Sequence, residues 1–178
     1  MCNFSDKIIE QTIEYMMDFL EQPHPVFGGL PVCPYTRKAR LSNKILYKVD
    51  DFYMNSSLNF DSNFIQTIQE FSQSQKYEVL LVLHPEPQAM TPEQTQEFVK
   101  GLNSIISAWG LIAFGGHPDE SFNIQGVYTR RLPYINLTVQ AEDLLTKASD
   151  TLLQTKYYHN WTPENLKDVG FPRQGAGL

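Results

Sequence analysis

At 178 residues, with 42% hydrophobic, 12% aromatic and 19% charged positions, the chain suits one packed domain and excludes disorder as its ground state. A net charge of −6 and a pI near 5.1 repel phosphate backbones, which argues against nucleic acid as a partner. No apolar run reaches the ~20 residues of a membrane helix, Met1 to Lys7 lacks the basic-then-apolar build of a signal peptide, and two cysteines, Cys2 and Cys33, make a reducing cytoplasm the expected compartment.

Ser5 is placed to cap a first helix, with Ile9, Ile13, Met16, Met17 and Leu20 at helical spacing and Pro23 and Pro25 as its stop. Residues 22 to 43 then read as a long irregular segment. It carries Pro23-His24-Pro25, Gly28-Gly29, Cys33-Pro34 and the basic run Arg37-Lys38-Ala39-Arg40. A loop of that length in a compact domain carries function or moves. Lys44 to Val49 reads as a strand. Asp61 or Ser62 caps a helix with Phe64, Ile65, Ile68 and Phe71 inward. Tyr77 to His84 is a continuous apolar run, the pattern of a central strand covered on both faces. Thr91-Pro92-Glu93-Gln94 opens a helix with Phe98, Val99, Leu102, Ile105 and Ile106 as its stripe and Gly110 as its end.

Leu111 to Gly115 predicts a third strand and Tyr134 to Val139 a fourth. A helix follows from Ala141 to about Tyr158, with Leu144, Leu145, Ala148 and Leu152 inward, and Thr162-Pro163-Glu164 opens a last short one. The Gly-rich tail, 173–178, is expected to be disordered. The fold expected over residues 1–172 is a single-domain α/β sandwich. Its central sheet is mixed, of about four or more strands with flanking helices, because the short link before the last strand favours an antiparallel pair.

Two strand ends carry an imidazole: Leu83-His84-Pro85-Glu86 and Phe114-Gly115-Gly116-His117-Pro118-Asp119-Glu120. Ligands in open α/β sheets bind beside the carboxyl ends of strands. Each histidine therefore either binds a ligand at that rim or caps its strand end on a backbone carbonyl. Gly115-Gly116 permits close approach at His117. Asp119, Glu120 and Glu86 are the candidate acids or bases, or else plain loop polarity. Cys33-Pro34 either presents a thiolate to a haem iron or packs as a small apolar side chain. Arg37, Lys38, Arg40, Arg130 and Arg131 either pair with ligand carboxylates or form solvated surface. No G-x-S-x-G, Walker, G-x-G-x-x-G or H-E-x-x-H pattern occurs.

In that order, Pro31-Val32-Cys33-Pro34-Tyr35, Leu83-His84-Pro85, Phe114 to Pro118 and Tyr128 to Tyr134 resemble the motifs of a loosely defined bacterial family of unknown function. That family carries a Cys-Pro-Phe, a His-Pro, a Phe-His-Pro and an Asn-Arg-Ser-Pro-Tyr-Pro. The chain departs from it at Gly116, at Leu132 and in lacking a histidine after Tyr134. More remotely, the layout is similar to the YqcI/YcgG family, which includes small haem proteins that hydroxylate amino acids. That resemblance implies haem as cofactor, His117 as its iron ligand and Arg130 or Arg131 as partners of the propionates; Cys33 and His84 are the reserve ligands, and Arg37 is a further candidate cofactor contact.

The expectation is thus a haem-dependent hydroxylase or monooxygenase in specialised biosynthesis, acting on an amino acid or related amine. The chain would act alone or as a homodimer, without nucleic acid or membrane. The alternatives are a non-catalytic module for a small anionic ligand or a partner protein, and a metal-dependent hydrolase using His84 and His117.

Overall fold

The computed structural model describes residues 3–53 and 60–171. The expected disorder of 173–178 lies outside the described residues. Strands β1 (Ile45–Val49), β2 (Val79–Leu83), β3 (Leu111–Gly116) and β4 (Asn136–Ala141) form one sheet in the order β1-β2-β4-β3. β1 and β2 are parallel, and β4 runs antiparallel to both of its neighbours. The sheet is mixed and the fold is a single α/β domain, as expected. β2 and β3 therefore point the same way with β4 between them, and Leu83 and Gly116 both pair with Asn136. His84 and His117 leave the sheet at the same rim, one strand apart.

Helices α1 (Phe4–Tyr15), α2 (Thr36–Leu41), α3 (Ser62–Gln73), α4 (Pro92–Ile106), α5 (Glu142–Leu153) and α6 (Pro163–Asp168) surround the sheet. Side chains alternate along a strand, so β2 splits its apolar run between two cores. Leu80 and Val82 pack with Ala113, Val139 and the inward faces of α3 and α4. Leu81 and Leu83 pack on the other side with Ile8, Met16, Leu20, Phe27 and Tyr157. Asp61 accepts the first amides of α3, and Thr91 and Gln94 close a capping box on α4. No described helix is long and apolar enough to cross a membrane.

Five local expectations are corrected. α1 starts one residue before Ser5 and is capped by Asn3. Burial falls on Ile8 and Thr12 of α1 and, at the same spacing of four, on Met16 and Leu20 of the wider π-helical turn Met16–Leu20 that continues it. The stretch 22 to 43 is not wholly irregular. It holds a short turn at Pro25–Phe27, closed by Gly28 at φ +67, and then α2, built from helix-forming Arg37-Lys38-Ala39-Arg40. α5 ends at Leu153, not near Tyr158, and Leu144 of its apolar stripe is 43% exposed, not buried.

Candidate functional site

His84 and His117 are 2% and 1% exposed. Each sits in a His-Pro-acid turn whose third amide donates back to the ring: Glu86 N–H to His84 Nδ1 at 3.0 Å, and Asp119 N–H to His117 Nδ1 at 2.9 Å. His24, the remaining His-Pro, accepts from Val26 N–H at 3.2 Å in the same way. Proline holds the backbone so that this contact forms. A neutral imidazole that accepts at Nδ1 carries its proton on Nε2. His117 gives that proton to Met90 O at 2.8 Å, and His84 faces Asp51 Oδ1 at 3.0 Å. An iron ligand needs a ring nitrogen with a lone pair facing its site, and His117 offers neither. Among the described residues no group of three or more His, Cys, Asp or Glu side chains is placed to hold a metal ion.

The site-sized feature lies on the face of the sheet away from α3 and α4. It is a cavity of about 520 Å³. Its floor is Ile45 of β1, Val79 and Leu81 of β2, Asn136, Thr138 and Gln140 of β4, and Phe114 and Gly116 of β3. Met16 and Leu20 of the π-helical turn, Cys33, Tyr35, Thr36, Lys38 and Ala39, and Leu144, Leu145 and Ala148 of α5 make the walls. The apolar stripe of α5 therefore faces this space, while only Ser149 and Leu152 of that helix are buried.

Thr129, Arg130 and Leu132 close the rim end. Gly116 is what lets them in. A Cβ there would lie 2.6 Å from Asn136 Nδ2 and 2.7 Å from Arg130 O. The same carbonyl accepts from His117 N–H at 3.1 Å. Arg130 Cζ sits 3.8 Å from the centroid of the Phe122 ring, a cation–π contact. Its Nη2 is buried with no hydrogen-bond partner, and none of the described ion pairs includes it. Burial pushes the guanidinium below its ordinary value, opposed by the fields of Glu120 and Asp168.

The cavity thus gathers Cys33, Lys38 and Arg130 from the expected set. The others face elsewhere. Arg131 stacks 3.5 Å from the Tyr128 centroid and donates to Glu120 O at 2.6 Å. Arg40 makes a two-point ion pair with Glu21 at 2.7 and 2.8 Å. Arg37 is exposed on α2. Glu120 is buried and its carboxylate is filled by Ser121 N–H, Phe122 N–H and Gln96 Nε2 at 2.9, 3.3 and 2.8 Å. Asp119 and Glu86 are exposed and line no part of the cavity.

Sequence reasoning passed over Asn136, Thr138 and Gln140. Their signal was the strict apolar–polar alternation of Ile135 to Gln140 inside a strand flanked by neighbours on both sides. No family model, curated protein or solved structure matches the chain.

Proposed function

We propose that the chain binds a small amphipathic anion in this cavity. The head group sits on Arg130, and the apolar body lies against Met16, Leu20, Leu81, Phe114 and the stripe of α5. The single observation that carries this reading is that Arg130, a buried cation whose Nη2 has no hydrogen-bond partner, is among the residues lining an otherwise apolar cavity. A buried charged donor without an acceptor is costly. A ligand carboxylate supplies that acceptor in two-point geometry. The net charge of −6 gives no long-range attraction for such a ligand, so affinity must come from the pocket itself. Titration with undecanoate, followed by calorimetry, tests this. Saturable binding to the wild type, absent with undecanol and lost on Arg130→Met, is expected. Equal binding of acid and alcohol, or binding of neither, overturns the reading.

A second reading keeps the haem-dependent oxidation of an amino acid or related amine. What favours it is that Cys33 shares the cavity with Arg130. His117 does not fit as the ligand, since both of its ring nitrogens are engaged by backbone. Cys33 would then hold the iron, Arg130 a propionate, and Phe114 and Leu81 would border the macrocycle. Bound haem would supply the oxygen chemistry, and a cytoplasmic setting would keep the thiol free. Expression with a haem precursor should give a Soret band that survives His117→Ala and vanishes in Cys33→Ala. Lack of any band sinks this reading.

A further inference from the structure

We infer that the cavity seats a short extended peptide with small apolar side chains, lying edge-on along β4. The inference goes beyond the anion reading and does not rest on it. Asn136, Thr138 and Gln140 lie at alternate positions of β4, and all three line the cavity. Leu137 and Val139 between them are fully buried on the opposite face. β4 is an interior strand, hydrogen-bonded to β2 and β3, where a packed face would carry apolar side chains. This face instead carries amide, hydroxyl and amide. Thr138 and Gln140 are half-buried and make no side-chain hydrogen bond with any described residue. Asn136 is buried and gives its Nδ2 to Tyr134 O at 3.0 Å.

The borders of this polar lane are apolar on both sides. Thr138 pairs with Leu81 of β2 and Phe114 of β3, and Gln140 pairs with Val79 of β2. Side chains paired across strands share a face, and Val79, Leu81 and Phe114 line the cavity. The lane's polar groups repeat every two residues, or ~6.7 Å. One edge of an extended peptide has the same repeat, since its N–H and C=O groups also recur there every two residues. The side chains of such a peptide leave to either side of that edge. Asn, Thr and Gln each donate and accept, so each can answer either peptide group. With its edge on the lane, the peptide sets one row of side chains over Val79 and Leu81 and the other over Phe114. From Asn136 to Gln140 the lane runs about 13 Å, the length of about four residues. The cavity, about 520 Å³, is of ordinary ligand size, which limits four residues to small side chains. An alkyl chain on this lane would leave its polar groups unpaired. The seat uses neither chain end, so no charged partner is required.

The probe is the tetrapeptide acetyl-Val-Ala-Val-Ala-amide, blocked at both ends and titrated by calorimetry into the full chain. Saturable binding is expected, weakened at least tenfold by Thr138→Val with Gln140→Leu. Those substitutions add apolar surface, so hydrophobicity alone would tighten binding. Two methylated forms of the probe read the edge. N-methylation of both valines removes the donors of one edge, and N-methylation of both alanines removes those of the other. One form should lose at least tenfold in affinity while the other holds. No saturable binding of the parent peptide, undiminished binding to the double variant, or equal binding of the two methylated forms overturns the inference. The anion reading stands or falls separately, because the probe carries no charge. Wild-type-like circular dichroism and melting of the double variant separate a lost contact from a lost fold, and the methylated pair tests the wild type without any substitution.

Discussion

The guanidinium carbon of Arg130 lies 3.8 Å from the centre of the Phe122 ring, yet the Nη2 of the same side chain has no hydrogen-bond partner. An aromatic face satisfies part of a buried cation and none of its N–H geometry. Arg130 is therefore positioned before any ligand arrives, and the free protein bears the cost.

That cost has a sign that can be measured. Arg130→Met keeps the stem and removes the charge. The ligand-free variant should be as stable as wild type or about 1 kcal/mol more so, a rise of about 2–4 °C in melting temperature at this chain length. The same variant should show no thermal shift with undecanoate. A large drop in the ligand-free melting temperature would mean that Arg130 is structural.

Gly116→Ala should damage fold and site together. The new methyl would meet Arg130 O at 2.7 Å and Asn136 Nδ2 at 2.6 Å, and a main-chain oxygen cannot swing aside. A loss of about 2 kcal/mol in urea unfolding is expected from overpacking, with weaker ligand binding in the fraction that folds.

Edge strand β3 is bonded from outside by two side chains of α4, Asn103 and Gln96, the latter donating from Nε2 to Gly115 O at 3.4 Å. Asn103 of α4 donates to Ala113 O at 2.9 Å and accepts from Ala113 N–H at 2.8 Å. Asn103→Ala should cost about 2–3 kcal/mol for the two orphaned main-chain groups. It should also bare a pairing edge. Chemical denaturation and light scattering at rising concentration check the two effects.

Glu21, 7% exposed, is held by the Arg40 fork. Arg40→Met strands that carboxylate and should cost about 3 kcal/mol. Glu21→Gln in the same background should recover part of the loss, read from urea midpoints of the single and double variants.

Burial raises Tyr15 and Tyr47 from the ordinary 10.0 to about 12. A raised folded-state value means that the unfolded chain loses its protons first. The tyrosines' contribution is whole below pH 10 and drains away as pH climbs through about 12. Circular dichroism across that window should show alkaline unfolding. Tyr47→Phe should shift the midpoint upward, and it also deletes a buried hydroxyl without a partner.

The elements were legible where a local rule had no competitor. Thr91-Pro92-Glu93-Gln94 is a helix start in any context, and the apolar run before His84 could only be an interior strand. Legibility failed where two local readings tied. The spacing of Met16 and Leu20 fits an α-helix and the observed π-helical turn alike. Leu144, Leu145 and Ala148 mark an apolar stripe, but a stripe facing a cavity looks the same in sequence as one facing a core. His117 was conspicuous for its glycines and proline, and those same residues build the turn that occupies its ring.

The sequence by itself determined the α/β class, the mixed sheet and the rim from which His84 and His117 emerge, because hydrophobic period and capping act over a few residues. Only the tertiary structure decided that a cavity opens on the face of the sheet away from α3 and α4. Cys33, Arg130, Asn136 and the α5 stripe are far apart in the chain, and the placement of β4 between β2 and β3 is what brings them to one cavity. Which ring nitrogen is free, and which guanidinium lacks a partner, depends on contacts that no local pattern encodes.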